Sequence, residues 1–318
     1  MTKVRIQLIQ EVIDHLEEAG FDLSTECDVR PSCFDLVARK GNQLLFVKIL
    51  ANIDALTKDD ALSLQTVAHF FNATPLIVGK KTRRGTLDEG VVYQRYGLST
   101  IAPRSFQSMI SERKMPRKFI QRGGRFVAID GTKLKEVRLS HSMTKEDLAK
   151  CVQVSARAIL AYEKDEMDVS AEIAEKIEKV LETDLVIPID ILSPKILQDP
   201  ISTAPHHEPL NLETRVNEFF ERLGMRVLWT DRAPFHVAAK EDEAPLMSGV
   251  GSLKSWSLQR RMELLKSVSE ITESDAVIIV EEGQAEETVS ELPVIRQLEL
   301  DDIEEPRELK KIIDERSS

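Results

Sequence analysis

One short stretch of this acidic chain is strongly cationic. From Glu112 to Arg138 it carries Arg113, Lys114, Arg117, Lys118, Arg122, Arg125, Lys133, Lys135 and Arg138 against Glu112, Asp130 and Glu136. That is a net +6 within a chain of net charge −11 and pI near 5.2. Such a patch suits phosphate oxygens, where released counterions drive association. A solvated linker is the plainer alternative, but the position of the patch just ahead of a helical segment favours phosphate contact. Lys80–Gly85, KKTRRG, is a second basic cluster that reads more as a solvated loop. His206-His207 has no further ligands nearby and also reads as a loop. Cys27, Cys33 and Cys151 lack C-x-x-C spacing, so neither zinc nor a disulfide framework is expected, and no cofactor or metal is assigned. No G-x-G-x-x-G, P-loop or Ser-His-Asp spacing occurs.

The elements behind the patch are helical. TKLKEVRLS offers Leu134, Val137 and Leu139 as an apolar side. Thr144 with Asp147 three residues on predicts a capping box with a short acid. Leu148, Ala149 and Val152 then face inward. Ser155 is a second N-cap, opening ARAILAYEK with Ile159 and Tyr162 as its core side. Ser170 opens AEIAEKIEKVL, with Ile173, Ile177, Val180 and Leu181 inward. A break of about three residues between the second and third helices matches a helix-turn-helix, with a generic helical bundle as the alternative.

Leu148-Ala149, Val154-Ser155, Ile159, Tyr162-Glu163 and the final amphipathic helix resemble the phage-repressor (Cro-like) domain over about sixty residues. Many such domains place glycine in the turn; here Gln153 stands there. The resemblance implies that the third helix enters the DNA major groove. Ser155 at its start and Ala156, Arg157, Leu160, Ala161 and Lys164 would then face the duplex. Arg157 alone could read a base edge with a bidentate pair, most naturally guanine. Ala156, Leu160 and Ala161 could touch thymine methyls, and Lys145 and Lys164 suit phosphates. So few readers imply help from DNA shape or from the basic arm.

The whole chain has 318 residues, 42% hydrophobic and 31% charged, which fits two or three soluble globular domains. No apolar run approaches the roughly 20 residues of a membrane span. The amphipathic, acid-rich start does not fit a targeting peptide, so a cytoplasmic protein with no membrane partner is expected. An internal repeat is visible. LEEAGF, FDLVARK, PLIVGKK and VYQRYGLSTIAP resemble FERLGM, FHVAAKE, VIIVEEG and VIRQLELDDIEEP, at offsets between 201 and 204. Each half reads as a helix, two strands, a helix, an apolar strand and a proline-initiated helix, an α/β domain.

That order, with a third element ending in Val-Lys, resembles the restriction-endonuclease-like fold, including archaeal Holliday-junction resolvases. The resemblance implies a helix Glu, a strand Asp and a Glu-x-Lys around a divalent cation that activates water. Glu11, Asp35 and Lys48 could match, but Phe46 stands where the acid of Glu-x-Lys belongs. In the second half His236 replaces the Asp and PLMSGVG replaces the lysine strand. Catalytic residues are therefore not expected. The alternatives are a nuclease-like shell kept for binding or assembly, a plain surface pair at Asp35 and Lys48, and a metal-dependent nuclease or junction resolvase.

The expected fold is mixed, with two α/β restriction-endonuclease-like domains flanking a central all-α Cro-like domain. The expected boundaries are 1–112 (α/β), 113–130 (basic linker arm), 131–192 (helix-turn-helix), 193–209 (linker) and 210–318 (degenerate second copy). This arrangement resembles an archaeal family of helix-turn-helix transcriptional regulators, most specifically in FDLVA…LLFVKIL and the central motif. It implies a DNA-binding transcriptional regulator acting on double-stranded DNA, and no enzymatic activity is expected. A homodimer is expected because one short recognition helix buries too little surface for tight specific binding, with the duplicated α/β domains as its assembly surfaces. Trp229 and Trp256 read as core.

Overall fold

The computed structural model describes residues 3–121, 124–193, 211–241, 244–281 and 283–317. Arg122, His206 and His207 lie outside them, as does nearly all of the expected 193–209 linker. The chain opens with α1 (Lys3–Glu18), β1 (Asp22–Leu23), β2 (Leu36–Lys40), β3 (Gln43–Asn52), α2 (Lys58–Phe70), β4 (Thr74–Thr82), β5 (Gly85–Thr86), β6 (Val91–Arg95), β7 (Leu98–Ile101) and α3 (Pro103–Glu112). Next come β8 (Lys118–Gln121), β9 (Gly124–Ile129), α4 (Gly131–Ser140), α5 (Lys145–Val152), α6 (Ala156–Glu163), β10 (Val169–Ser170), α7 (Ala171–Leu181) and β11 (Val186–Ile187). The remainder is α8 (Asn211–Arg222), β12 (Arg226–Trp229), β13 (Val237–Lys240), β14 (Leu246–Gly251), α9 (Trp256–Thr272), β15 (Ala276–Val280), β16 (Thr288–Val289), β17 (Leu292–Arg296) and α10 (Pro306–Arg316).

These elements form two compact units. One comprises Met1–His15, Leu50–Ala55 and Ile77–Ile191; the other comprises Leu16–Ile49, Leu56–Leu76 and Leu192–Ser318. The first α/β segment therefore contributes to both.

In the first unit β4 runs parallel to β7, β6 pairs antiparallel with β7 and parallel with β8, and β8 and β9 form an antiparallel pair. The segment expected as a linker arm is thus largely two strands. Its cations mask a period of two: Val127 and Ile129 are buried on one face of β9, and Phe119 stacks on its register partner Phe126 at 6.2 Å. β9 also pairs with β10 and β11, so strands brace the central helices. Val127 and Ile129 join Leu134, Leu148, Val152, Ile159, Ile177 and Leu181 in one core. Each such side chain contributes about 1.5–3 kcal/mol by leaving water. Leu139, expected inward, is 57% exposed, because the inward face of α4 runs through Leu134 and Arg138.

In the second unit β12-β13-β14-β15-β17-β16 form one sheet over the core of α8 and α10 residues Val216, Phe220, Leu309 and Ile313. The two halves share their strand plan. The runs β1-β2-β3 and β4-β7-β6 recur as β12-β13-β14 and β15-β17-β16, with the same parallel and antiparallel senses. Leu36 opposes Val47 as Val237 opposes Ser248. Trp229 is buried, its Nε1 donating to Asn217, but Trp256 is 70% exposed at the start of α9, with Arg260 over its ring.

Candidate nucleic-acid interface and the altered nuclease-like site

The helix-turn-helix is assembled by local chemistry. Thr144 Oγ1 accepts from the Asp147 backbone N–H at 3.1 Å, and Asp147 Oδ2 accepts from the Thr144 N–H at 3.0 Å, completing the capping box. The Thr144 hydroxyl also donates to that carboxylate and holds it below its usual range. Ser155 Oγ accepts from the Ala158 N–H at 3.1 Å and starts α6. Each such cap contributes about 1 kcal/mol. Between them Gln153 takes the left-handed conformation, φ 61° and ψ 47°, that the turn demands and that glycine would adopt without strain.

Two features pin the far end of α6. Gly131 lies so close that a Cβ there would sit 2.4 Å from the Tyr162 carbonyl oxygen. Arg138 Nε donates to Glu163 Oε1 at 2.6 Å, with both side chains nearly fully buried, and Arg138 also donates to the Met143 carbonyl. Arg138 is therefore a structural ion inside the domain and not part of the outward cationic patch. Its spacing of four from buried Leu134 is the signal that could have placed it inward.

The α6 residues take distinct places. Arg157 and Lys164 are exposed, Leu160 and Ala161 are half-buried, and Ala156 packs partly against the core. Arg157 makes no ion pair among the described residues, whereas Lys164 lies 3.8 Å from Glu166. Lys145 at the start of α5 is half-buried. The arm cations divide. Arg125 pairs with Asp88 at 2.7 Å, Lys118 with Glu175 at 3.1 Å, and Arg117 donates to the Val186 carbonyl with Glu178 4.0 Å away. Arg113 ends α3 in the left-handed conformation, and it and Lys114 are exposed. Much of the +6 is thus answered by acids distant in sequence.

The nuclease-like positions show a different economy. Asp35 is fully buried just before β2; its Oδ2 accepts from the Ile49 N–H at 2.7 Å. Its Oδ1 faces Lys48 Nζ and an Arg30 guanidinium nitrogen, each at 3.6 Å. Lys48 also donates to the Ser32 carbonyl at 2.6 Å. Phe46, two residues from Lys48 and so on the same strand face, is fully buried, edge-on to Phe34 at 5.0 Å and tilted against Phe71 at 5.6 Å. Glu11 is half-buried on α1. Burial pushes the Cys27 and Cys33 thiols up, which keeps them protonated and poor nucleophiles.

A nuclease-type divalent cation wants several carboxylate oxygens. Here one carboxylate is balanced by two cations, and a phenyl ring fills the second place. Among the described residues no group of three or more His, Cys, Asp or Glu could hold a metal ion. The donor set does not fit such an ion.

In the second copy the register places His236 at the position of Asp35, Met247 at that of Phe46 and Gly249 at that of Lys48. His236 Nδ1 accepts from the Val250 N–H at 2.9 Å, the same backbone contact that Asp35 makes with Ile49. In the neutral ring the proton then sits on Nε2. A Cβ on Gly249 would meet Ile278 and Leu258 methyls at 2.8 and 3.0 Å, so apolar side chains close the space where a lysine would start. Arg30 was missed in the sequence because its position in an irregular loop carries no periodic signal.

No helix among the described residues is long and apolar enough to cross a membrane. A PD-(D/E)XK superfamily domain matches residues 5–116, and a helix-turn-helix matches residues 134–187. No solved structure matches. Relatives align over nearly the full chain. A protein of Thermococcus kodakarensis is 36% identical over 310 residues, covering 98% of this chain and 96% of its own length. One of Pyrococcus furiosus is 36% identical over 311 residues, covering 97% of each. One of Methanococcoides burtonii is 34% identical over 320 residues, covering 98% and 97%. All three are provisionally named HTH-type transcriptional regulatory proteins. With that identity sustained from end to end, the chain belongs to this archaeal family of helix-turn-helix transcriptional regulators.

Proposed function

We propose that α6 is the recognition helix of a cytoplasmic, sequence-specific regulator, and that Arg157 is its principal base reader. The observation that supports this most is the contrast in pairing: Arg157 projects exposed from the first turn of α6 without an ion pair among the described residues, while Arg117, Lys118 and Arg125 are engaged with carbonyls or acids. A guanidinium in that place can meet guanine O6 and N7 together. Ser155, Ala156, Leu160 and Ala161 supply close or apolar contact beside it. Lys145, Lys164, Arg113 and Lys114 hold phosphates. The chain acts as a homodimer reading two half-sites, since one short helix covers few base pairs.

The test is selection of bound genomic fragments followed by titration of the selected site. Arg157→Ala should lose about 1–3 kcal/mol there and relax one base position. Lys145→Ala should weaken all sequences alike and lower the salt slope by about one. Equal binding by Arg157→Ala and the parent across all sequences would remove Arg157 from the reading role. A strictly monomeric mass with and without operator would remove the dimer.

A nuclease reading is favoured by the superfamily match over residues 5–116 and opposed by the donor set around Asp35. We infer no catalysis. Cleavage of linear, nicked or branched DNA with magnesium or manganese, lost in Asp35→Ala and Lys48→Ala but kept in Arg157→Ala, would reverse that.

A further inference from the structure

Within the second compact unit, elements of the first copy meet the second copy by reciprocal contacts. Arg39 in β2 donates Nε to the Ile271 carbonyl at 2.6 Å and a second nitrogen to the Thr272 carbonyl at 2.8 Å. These are the closing carbonyls of α9, which have no partner within the helix. Lys240 occupies the same register position in β13 that Arg39 holds in β2. It donates Nζ to the carbonyl of Phe70, the last residue of α2, at 2.5 Å and lies over the Phe70 ring. Each copy thus caps the other's crossover helix with a strand cation, where helix-end charge is favourable. The two copies are related as the halves of a two-fold dimer.

Two ion pairs occupy matching places in this relation. The loop before β2 brings Asp28 to Arg260 near the start of α9, at 2.5 Å. The loop before β13 brings Arg232 to Asp60 near the start of α2, also at 2.5 Å. The polarity is reversed between them. The first copy supplies both carboxylates and the second copy both guanidiniums. Alongside, the Cys33 N–H donates to the Arg232 carbonyl at 2.8 Å, and Phe71 meets Phe235 at 5.7 Å between ring centres.

We propose that this charge polarity makes the C-terminal α/β domain the dedicated partner of this face of the N-terminal one and rejects a second copy of either half. Pairing first copy with first copy would set Asp28 against Asp60; pairing second with second would set Arg232 against Arg260. Like charges brought together select against such partners, beside the attraction that favours the correct one. Assembly between chains then uses other surfaces, in place of the shared α/β face that the repeat alone suggests.

The test uses two full-length variants, Asp28→Arg/Asp60→Arg and Arg232→Asp/Arg260→Asp, and a four-site variant carrying all of these changes. Hydrogen exchange of the peptide containing the Cys33 amide reports the face. In each two-site variant alone, exchange there should speed up at least tenfold. An equimolar mixture should regain protection, because the basic first half of one chain meets the acidic second half of the other. The four-site variant should regain it within a single chain. Asp60→Arg also removes an acceptor of the Thr57 hydroxyl, so exchange at Cys33 and not overall stability is the readout. Unchanged protection in both two-site variants overturns the proposal. So does protection that neither the mixture nor the four-site variant restores. If the two-site variants do not fold, the four-site variant decides alone: parental protection at Cys33 supports the proposal and its absence overturns it.

Discussion

Asp35 and His236 hold the same place in the two copies and accept the same kind of backbone N–H, from Ile49 and Val250. Around that shared contact the facing side chains differ. In the first copy Lys48 and Arg30 face the carboxylate; in the second, Leu258 and Ile278 crowd the glycine that stands for the lysine. The comparison teaches that the fold needs an acceptor at this position but not a charge. An imidazole nitrogen accepts from the third strand at the place where a carboxylate does so in the first copy. In the first copy, where Phe46 supplies no acid, the ion pair of Asp35 with Lys48 is a buried structural feature with its own energetic demands.

The largest effect should come from placing an acid at Phe46. Phe46→Glu removes a fully buried ring that packs on Phe34 and Phe71. The lost ring alone costs about 3–5 kcal/mol, and a carboxylate in its place adds desolvation that Lys48, already committed to Asp35 and Ser32, offsets only in part. Thermal unfolding of the variant should show this loss, with no recovery on adding magnesium or manganese. A metal-dependent rise in melting temperature would instead reveal a site one residue away from function, and the two copies would differ less than their present side chains suggest.

Next in size is the difference between the copies themselves. Asp35→Ala strands Lys48, which is nearly buried, and leaves the Ile49 N–H unpaired. Breaking a buried pair from one side costs about 3–5 kcal/mol. His236→Ala removes the acceptor of the Val250 N–H, about 1–3 kcal/mol. Urea unfolding of the full chain checks both. Equal losses would mean that the Lys48 charge finds water once Asp35 is gone, and the claimed asymmetry would fall.

The sequence made some of this legible and hid the rest for physical reasons. The caps at Thr144 and Ser155, the helix started by Pro103 and the apolar strands of both copies are set by neighbours in sequence, and the structure has them where the pattern places them. Gln153 was readable as a turn position out of keeping with its residue type, and it does adopt positive φ. Partners distant in sequence were not readable. Arg138 looked like one more patch cation until Glu163, 25 residues away, turned it inward. Lys118 and Arg125 looked free until Glu175 and Asp88 answered them. The strands β8 and β9 were concealed because neighbouring cations outweighed the alternation of Val127 and Ile129 beneath them. Charge is read locally in a sequence but neutralised in three dimensions.

The smallest predicted effect concerns acid, and it separates the copies by carboxylate type. In the first copy Asp54 accepts the Arg83 backbone N–H at 2.8 Å and the Arg95 guanidinium at 2.7 Å, which hold its carboxyl below the usual range. In the second copy burial pushes Glu299 up, but the Arg316 guanidinium at 2.6 Å and the Arg296 N–H at 2.7 Å outweigh it and leave the carboxyl low. Both folded values are depressed. Each contribution is therefore complete above the ordinary unfolded value and is lost as pH falls toward the folded one. The ordinary value for glutamate, about 4.3, lies above that for aspartate, about 3.9. On acidification the Glu299–Arg316 lock should begin to weaken first, and the Asp54–Arg95 lock later. Hydrogen exchange corrected for intrinsic rates should show peptides around Arg296–Arg316 losing protection at higher pH than those around Asp54 and Arg95. Glu299→Gln should flatten the acid response only of the former, and Asp54→Asn only of the latter. If Glu299→Gln flattened both, the two copies would be failing as one cooperative body under acid, and the local locks would not be what sets the order.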